Sequence, residues 1–344
     1  MRKQLQMFGV VLAALVVLAP DAITAREGDA KAASIMTESR KALGGEKKLS
    51  TLNTLSLRAE FRREMAGGGP AGATFVMVNG GGAPGGGAAQ MSGSIEIDVM
   101  FPDKFYRQET TTSGLGLTRV DGFEGDRPFL DVSSSNPGAR VMADNPNSDP
   151  ARAKAVLKRA NTELARLLLG LVGTTHAAMP VTYAYVGQAE SPDGTAHVID
   201  VTGPDDFKAR LFVDTATHLP LMLTYAELEP RPMRMVTQHG GAPSGGATPR
   251  VVTGPGASGA STERRDLTPE QRAEIEKGLK AAEEAPRKML EYRLYFSDYR
   301  DVDGVRLPHR IARGIAEKTV EEWDVKNYKV NPNIKADRFK VGTE

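Results

Sequence analysis

Apolar positions alternate with polar ones along most of this chain, and where they do not, they fall at helical spacing. The first clean alternation puts Leu55, Leu57, Ala59 and Phe61 on one face and Ser56, Arg58, Glu60 and Arg62 on the other. A period of two with one apolar face predicts a half-buried strand. Ile95, Ile97 and Val99 alternate likewise with Ser94, Glu96 and Asp98. Further strands are predicted at 105–112, 117–120 and 127–132, with Asp121-Gly122 read as a turn. After a long helical stretch the alternation resumes at 181–186, 196–201, 207–214 and 219–226. Ser191-Pro192-Asp193-Gly194 and Gly203-Pro204-Asp205 supply turns. Strands at 289–299, 306–312 and 319–328 follow, the first two joined at Asp303-Gly304. Connections this short favour antiparallel neighbours, because parallel strands need long crossovers.

Three segments have helical spacing. Residues 30–43 place Ile35, Met36 and Leu43 on one face and stop at Gly44-Gly45. The strongest helix starts at Asp149, a good N-cap, with Pro150 in the first helical position, and stops at Gly173. Its face is Val156, Leu157, Ala160, Leu164, Leu167, Leu168 and Leu171. The run Leu167-Leu168-Leu169 makes its C-terminal half apolar almost all round, which predicts deep burial there. A third, polar helix is expected after the capping box Thr268-Pro269-Glu270-Gln271, with a thin stripe of Ile275, Leu279 and Ala282. Ten or eleven antiparallel strands and two or three helices make an α+β, mainly antiparallel β chain. One large curved sheet wrapped over its helices satisfies both apolar sets.

Composition changes this picture in three places. Residues 66–93 hold 11 glycines and 238–262 hold 7, half of the chain's 36. Such segments bury little apolar surface, so they are read as glycine-rich insertions, the first enclosing a short strand at 74–78. At the start, Arg2 and Lys3 precede an apolar run from Met7 to Ala19, and Ile23-Thr24-Ala25 offers a small residue at a cleavage point. That layout predicts a secretory signal over 1–25 and a domain over 26–344. The run is shorter than the roughly 20 residues a bilayer span requires. The whole chain carries 44 basic and 43 acidic side chains, a formal net charge of +1. A nucleic-acid partner, which calls for a basic stripe or excess, is not expected.

Candidate chemistry is sparse. There is no cysteine, which rules out disulfides, thiolate metal sites, a thiol nucleophile and an N-terminal lipid anchor on this chain. Gly-x-Gly-x-x-Gly matches at 67–72 and 80–85 lack the flanking strand and helix that dinucleotide binding requires. No two of His176, His197, His218, His239 and His309 have metal-pair spacing. His197 shares a strand face with Ile199 and Val201, which suits a core histidine with its hydrogen bond satisfied. Asp121, Asp193, Asp205, Asp301 and Asp303 fit turn chemistry, and Glu283-Glu284 and Glu321-Glu322 read as solvated faces. No catalytic constellation, cofactor or metal is expected.

Several segments resemble one family. Residues 209–225, Ala-Arg-Leu-Phe-Val-Asp-Thr-Ala-Thr-His-Leu-Pro-Leu-Met-Leu-Thr-Tyr, end one strand in Asp214 and open the next with Leu219-Pro220. Residues 295–311 form a hairpin with Asp303-Gly304 at the bend and Leu307-Pro308 on the return strand. The tail 321–339 with Asn331-Pro332, and the helix ending Lys41-Ala42-Leu43-Gly44-Gly45, fit as well. In these features the chain is similar to the LolA/LolB-like superfamily of outer-membrane lipoprotein-sorting factors. The resemblance covers about two thirds of the chain after residue 25 and marks strand ends and turns. The chain is much longer than such carriers, and the two glycine-rich insertions account for much of the excess.

That resemblance implies a curved, unclosed β-barrel of about eleven strands with helices covering the concave face. It also implies a periplasmic, monomeric carrier or sensor that shields lipid or lipoprotein acyl chains, served by membrane-bound donor and acceptor proteins. The family's cavity arginine falls on the early strand carrying Arg58, Arg62 and Arg63, which the motifs do not rank. Alternation and helical phase nominate the lining: Ile95, Ile97, Val99, Leu211, Val213, Leu221, Leu223 and Trp323 from strands, with Leu164, Leu168 and Leu171 from the helix. Two other readings remain open. One is a non-enzymatic envelope interaction module using the glycine-rich loops or an edge strand; the other is an envelope hydrolase.

Overall fold

The computed structural model describes residues 22–65, 89–112, 116–135, 146–192, 194–229, 236–237, 250–251 and 286–340. The first 21 residues of the expected signal, nearly all of both glycine-rich insertions, the strand at 74–78 and the helix at 268–282 lie outside them. Helix α1 runs Ala22–Ala42, earlier than the expected start at residue 30, and α2 is one turn, Glu46–Leu49. Strands β1 (Thr54–Met65), β2 (Ala89–Met100), β3 (Lys104–Thr111), β4 (Leu117–Glu124) and β5 (Arg127–Ser134) precede α3 (Pro150–Val172). Residues 89–93, assigned by composition to the first glycine-rich insertion, extend β2. Next come β6 (Thr182–Ser191), β7 (Gly194–Thr202), β8 (Lys208–Asp214) and β9 (Pro220–Leu228). A two-residue pair, β10 (Val236–Thr237) and β11 (Arg250–Val251), stands apart. The last strands are β12 (Met289–Val302), β13 (Val305–Ile315) and β14 (Lys318–Val330).

Twelve strands form one antiparallel sheet in the order β5-β4-β3-β2-β1-β14-β13-β12-β9-β8-β7-β6. That is one strand more than expected, and β5 and β6 do not pair, so the barrel is open. Helix α3 touches β4 and β5 near one edge and β9 and β13 farther along, so the sheet wraps round it; α1 packs on the opposite edge strand, β6. The main core collects the inward positions of the sheet with Leu164, Leu168, Leu169 and Leu171 of α3 and Ala32, Ile35, Met36 and Leu43 around α1.

The ends of α3 follow from its caps. Asp149 accepts a hydrogen bond from the Ala151 amide at 3.1 Å, and Gly173 leaves the helix in a left-handed conformation, φ 65°. All residues from Leu164 to Val172 are buried, as the all-round apolar pattern predicts. Gly170 is required by contact. A Cβ there would lie 2.0 Å from the Phe296 ring of β12, and the Tyr299 hydroxyl donates to the Gly170 carbonyl at 3.1 Å.

The turn read at Asp121-Gly122 is not a turn. Strand β4 continues to Glu124, and the chain reverses at Gly125-Asp126. Gly122 serves close approach instead, since a Cβ would meet the Phe105 carbonyl oxygen at 2.0 Å and the Phe129 ring at 2.6 Å.

Candidate functional site

Four strands repeat one local pattern on the concave face. Each places a buried aromatic ring, and a charged side chain one same-face position nearer one end of the sheet. The pairs are Phe61 and Arg63 on β1, Phe105 and Arg107 on β3, Phe123 and Asp121 on β4, and Trp323 and Glu321 on β14. Register completes the tiers: Phe61 faces Trp323 and Arg63 faces Glu321, while Phe105 faces Phe123 and Arg107 faces Asp121. An apolar floor is thereby topped by a charged rim. We call this end the mouth.

The rim is closely bonded. Arg63 donates to both oxygens of Glu109, at 2.8 and 3.0 Å, and to Glu321 at 2.8 Å. The Trp323 indole donates to the same Glu321 oxygen at 2.8 Å. Arg107 forks onto Asp121 at 2.8 and 3.1 Å and reaches Glu163 of α3 at 2.6 Å. Farther round, Arg166 of α3 donates to Glu227 of β9 at 2.8 Å and lies flat over Tyr225, 3.6 Å from the ring centre. Tyr225 in turn stacks on Tyr292, with ring centres 5.4 Å apart. Helix α3 is therefore pinned to the rim on both sides, by Glu163 to β3 and by Arg166 to β9.

Burial alone would raise the Glu163 carboxyl. The charges of Arg107, Arg159, Arg313 and Arg119 reverse that and hold it well below the usual carboxylate range. Burial likewise opposes ionisation of Glu321, and Arg63 and Arg313 prevail, bringing it down to about 2. A carboxyl depressed in the folded state stabilises the fold above its unfolded pKa, and that stability is lost as pH falls through the folded pKa. The urea midpoint should therefore drop as pH falls from about 4.5 toward 2, as Glu321 and Glu163 take up protons. A midpoint flat down to about pH 3 would show that the rim is not the source of acid lability, and an acid drop undiminished in Glu321→Gln would clear Glu321 of it.

Ten of the eleven nominated lining residues come together. Ile95, Ile97, Val99, Leu164, Leu168, Leu171, Leu211, Val213, Leu223 and Trp323 all belong to the main core. Leu221 does not; it is 39% exposed. Val213 pairs with Pro220 and Phe212 with Met222, which leaves Leu221 as the extra residue of a bulge between β8 and β9. Of the three early arginines, Arg63 reaches the rim, while Arg58 pairs with Asp98 and Glu96 on the outer face. Asp121 and Glu321, read as a turn residue and a solvated face, are both buried ion-pair partners. His197 stands on the expected face, edge-on to Tyr185, but its Nδ1 has no hydrogen-bond partner among the described residues.

No protein-family model matches the sequence, and no curated protein matches it. Solved structures do. An outer membrane lipoprotein-sorting protein domain from Vibrio parahaemolyticus is similar over 91% of this chain and 97% of its own, at 8% identity and a TM-score of 0.42. A DUF1329 family protein from Desulfovibrio piger follows over 90% of this chain and 96% of its own, at 8% identity and a TM-score of 0.41. A LolA superfamily protein from Nitrosomonas europaea covers the same shares of the two chains, at 10% identity and a TM-score of 0.40.

Proposed function

We propose that this chain is a non-enzymatic acyl-chain carrier of the bacterial periplasm, holding lipid or lipoprotein chains between α3 and the concave face of the sheet. The observation that carries the proposal is the two-part attachment of α3. Its last turns, Leu167 to Val172, are inserted among apolar side chains, and charged contacts fasten it one to two turns nearer the mouth, through Glu163–Arg107 and Arg166–Glu227. Apolar groups already reach the rim: Met91, Leu157, Leu290 and Ile315 are half-buried against the core. By register Met91 faces Arg63, Leu290 faces Glu227 and Ile315 faces Tyr292.

An acyl chain entering there exchanges side-chain contacts of α3 for its own methylenes, each worth about 0.8 kcal/mol on leaving water. The ion pairs at the mouth are the part of the helix contact that water can replace. Sites for apolar ligands are concave, mainly apolar and carry few polar groups, and Ile95, Ile97, Val99, Leu211, Val213, Leu223, Trp323, Leu164, Leu168 and Leu171 supply that lining.

The test is direct. The exported protein, purified without detergent and extracted into organic solvent, should yield acyl lipid by mass spectrometry. The delipidated protein should take up a fluorescent fatty acid to saturation. Protein that is repeatedly empty and takes up no probe would end the carrier reading.

A further inference from the structure

The outer face of the sheet carries a second concavity, on the side of the sheet away from α3. After β14 the chain folds back. Asn331 Oδ1 accepts from the amides of Asn53 at 2.7 Å and Thr54 at 3.2 Å, and its Nδ2 donates to the Thr51 carbonyl at 3.0 Å. The Thr54 hydroxyl donates to the Pro332 carbonyl at 2.7 Å. The tail then crosses the outer face to a 3-10 turn, Ala336–Phe339. There Phe339, 1% exposed, closes a cluster with Tyr106, Val120 and Phe129. Tied at both ends, the tail roofs a pocket of about 500 Å³ over β1, β2 and β14.

The floor of the pocket is charge-balanced and rigid. Asp98, 3% exposed, accepts from Ser56 at 2.6 Å, from Arg58 at 3.0 and 3.2 Å and from Arg338 at 3.0 Å. Arg338 also bonds Glu96 at 2.7 Å and stacks over Tyr106. The remaining polar groups of the lining are different. Asn327 and Lys329 from β14, and Asn333 and Lys335 from the tail, line the pocket. Their side chains make no hydrogen bond or ion pair among the described residues. Two ammonium groups and two carboxamides, all exposed, are thus presented from floor and roof with no acceptor among the described residues. The one lining acid without an arginine is Asp337.

We propose that this pocket binds a phosphate group carried on a larger molecule, with Lys329 and Lys335 supplying the charge and Asn327 and Asn333 the added donors. Phosphate fits better than a carboxylate because it carries up to two charges and three acceptor oxygens for two lysines and two amides. A volume of about 500 Å³ leaves room for the group attached to it, against Pro332 and Ile334. The proposal is independent of the acyl-chain reading, since no residue of the pocket belongs to the concave lining.

The full chain should be titrated calorimetrically with inorganic phosphate at constant ionic strength. It should also be floated with vesicles of phosphatidylglycerol in phosphatidylcholine, against pure phosphatidylcholine. Lys329→Gln/Lys335→Gln should weaken binding about tenfold or more, and Lys47→Gln/Lys48→Gln, which removes equal charge from α2, should not. Because the pocket lysines bond nothing in the fold, the variant should keep the wild-type urea midpoint. Lysine-dependent binding of free phosphate supports a soluble phosphate ligand. Lysine-dependent flotation without it supports a phospholipid headgroup. Asp337→Asn should tighten either. Equal losses in both lysine pairs, binding in neither assay, or loss of binding in Asp337→Asn would overturn the proposal, the last by assigning the pocket to a cation.

Discussion

Arg107→Ala should cost the fold about 3–5 kcal/mol, read as a fall in the urea midpoint at neutral pH. Arg107 is 14% exposed, Asp121 8% and Glu163 19%, so these charges sit largely out of water. Truncating the arginine leaves two carboxylates facing each other across the space between β4 and α3. Arg119 still holds Asp121 at 3.1 Å and Arg159 holds Glu163 at 3.3 Å, but Arg159 is 56% exposed and contributes little. Arg107→Lys is the informative companion. It keeps the charge and loses the fork that grips Asp121 and Glu163 together, so it should fall between wild type and alanine. The loss should persist in high salt, because a buried pair is weakly screened. A cost below about 1 kcal/mol, erased by salt, is what an exposed pair would give. It would mean that α3 is not pinned at the mouth, and the two-part attachment behind the carrier reading would fail with it.

The legible part of this site is its apolar half. Alternation identifies the inward faces of β1, β2, β7 and β8, and the caps of α3 are visible in Asp149-Pro150 and Gly173. The charged half is not legible, for a physical reason. Arg63 and Glu321 pair across 258 positions, and local spacing identifies a face but not the partner across it. Inward charges also break the alternation that defines a strand, so Asp121 looks like the end of one and Glu321 like a solvated face. One signal was present. Phe61-x-Arg63, Phe105-x-Arg107, Asp121-x-Phe123 and Glu321-x-Trp323 each put a charge in the same phase as a buried aromatic ring. The sign alternates between strands that prove to be neighbours: Arg63 lies beside Glu321, and Arg107 beside Asp121. Leu221 shows the opposite limit. A bulge is a count of residues on two strands at once, and neither strand alone reveals it.

The same contrast between apolar interior and charged rim makes Leu168→Asp the most damaging single change at the site. Leu168 is 0% exposed and packed within α3's all-buried half. Leu168→Ala alone should cost about 2–5 kcal/mol, the transfer term plus the cavity left behind. Aspartate adds the cost of placing a carboxyl in this apolar core, and such a group resists ionising. Its pKa rises on folding, so whatever stability the variant retains is present at low pH and lost as pH climbs from the unfolded value near 4 to the higher folded one. That is the reverse of the wild-type response, where Glu163 and Glu321 make acid the destabilising condition. At neutral pH the variant should show no cooperative urea transition and no fatty-acid uptake, with partial recovery of structure in mild acid, followed by near-ultraviolet circular dichroism. Leu168→Ala should remain folded, so its probe binding separates loss of this apolar contact from loss of the fold. A Leu168→Asp protein that unfolds like wild type at neutral pH would place this half of α3 in water, and no apolar site could then be built on it.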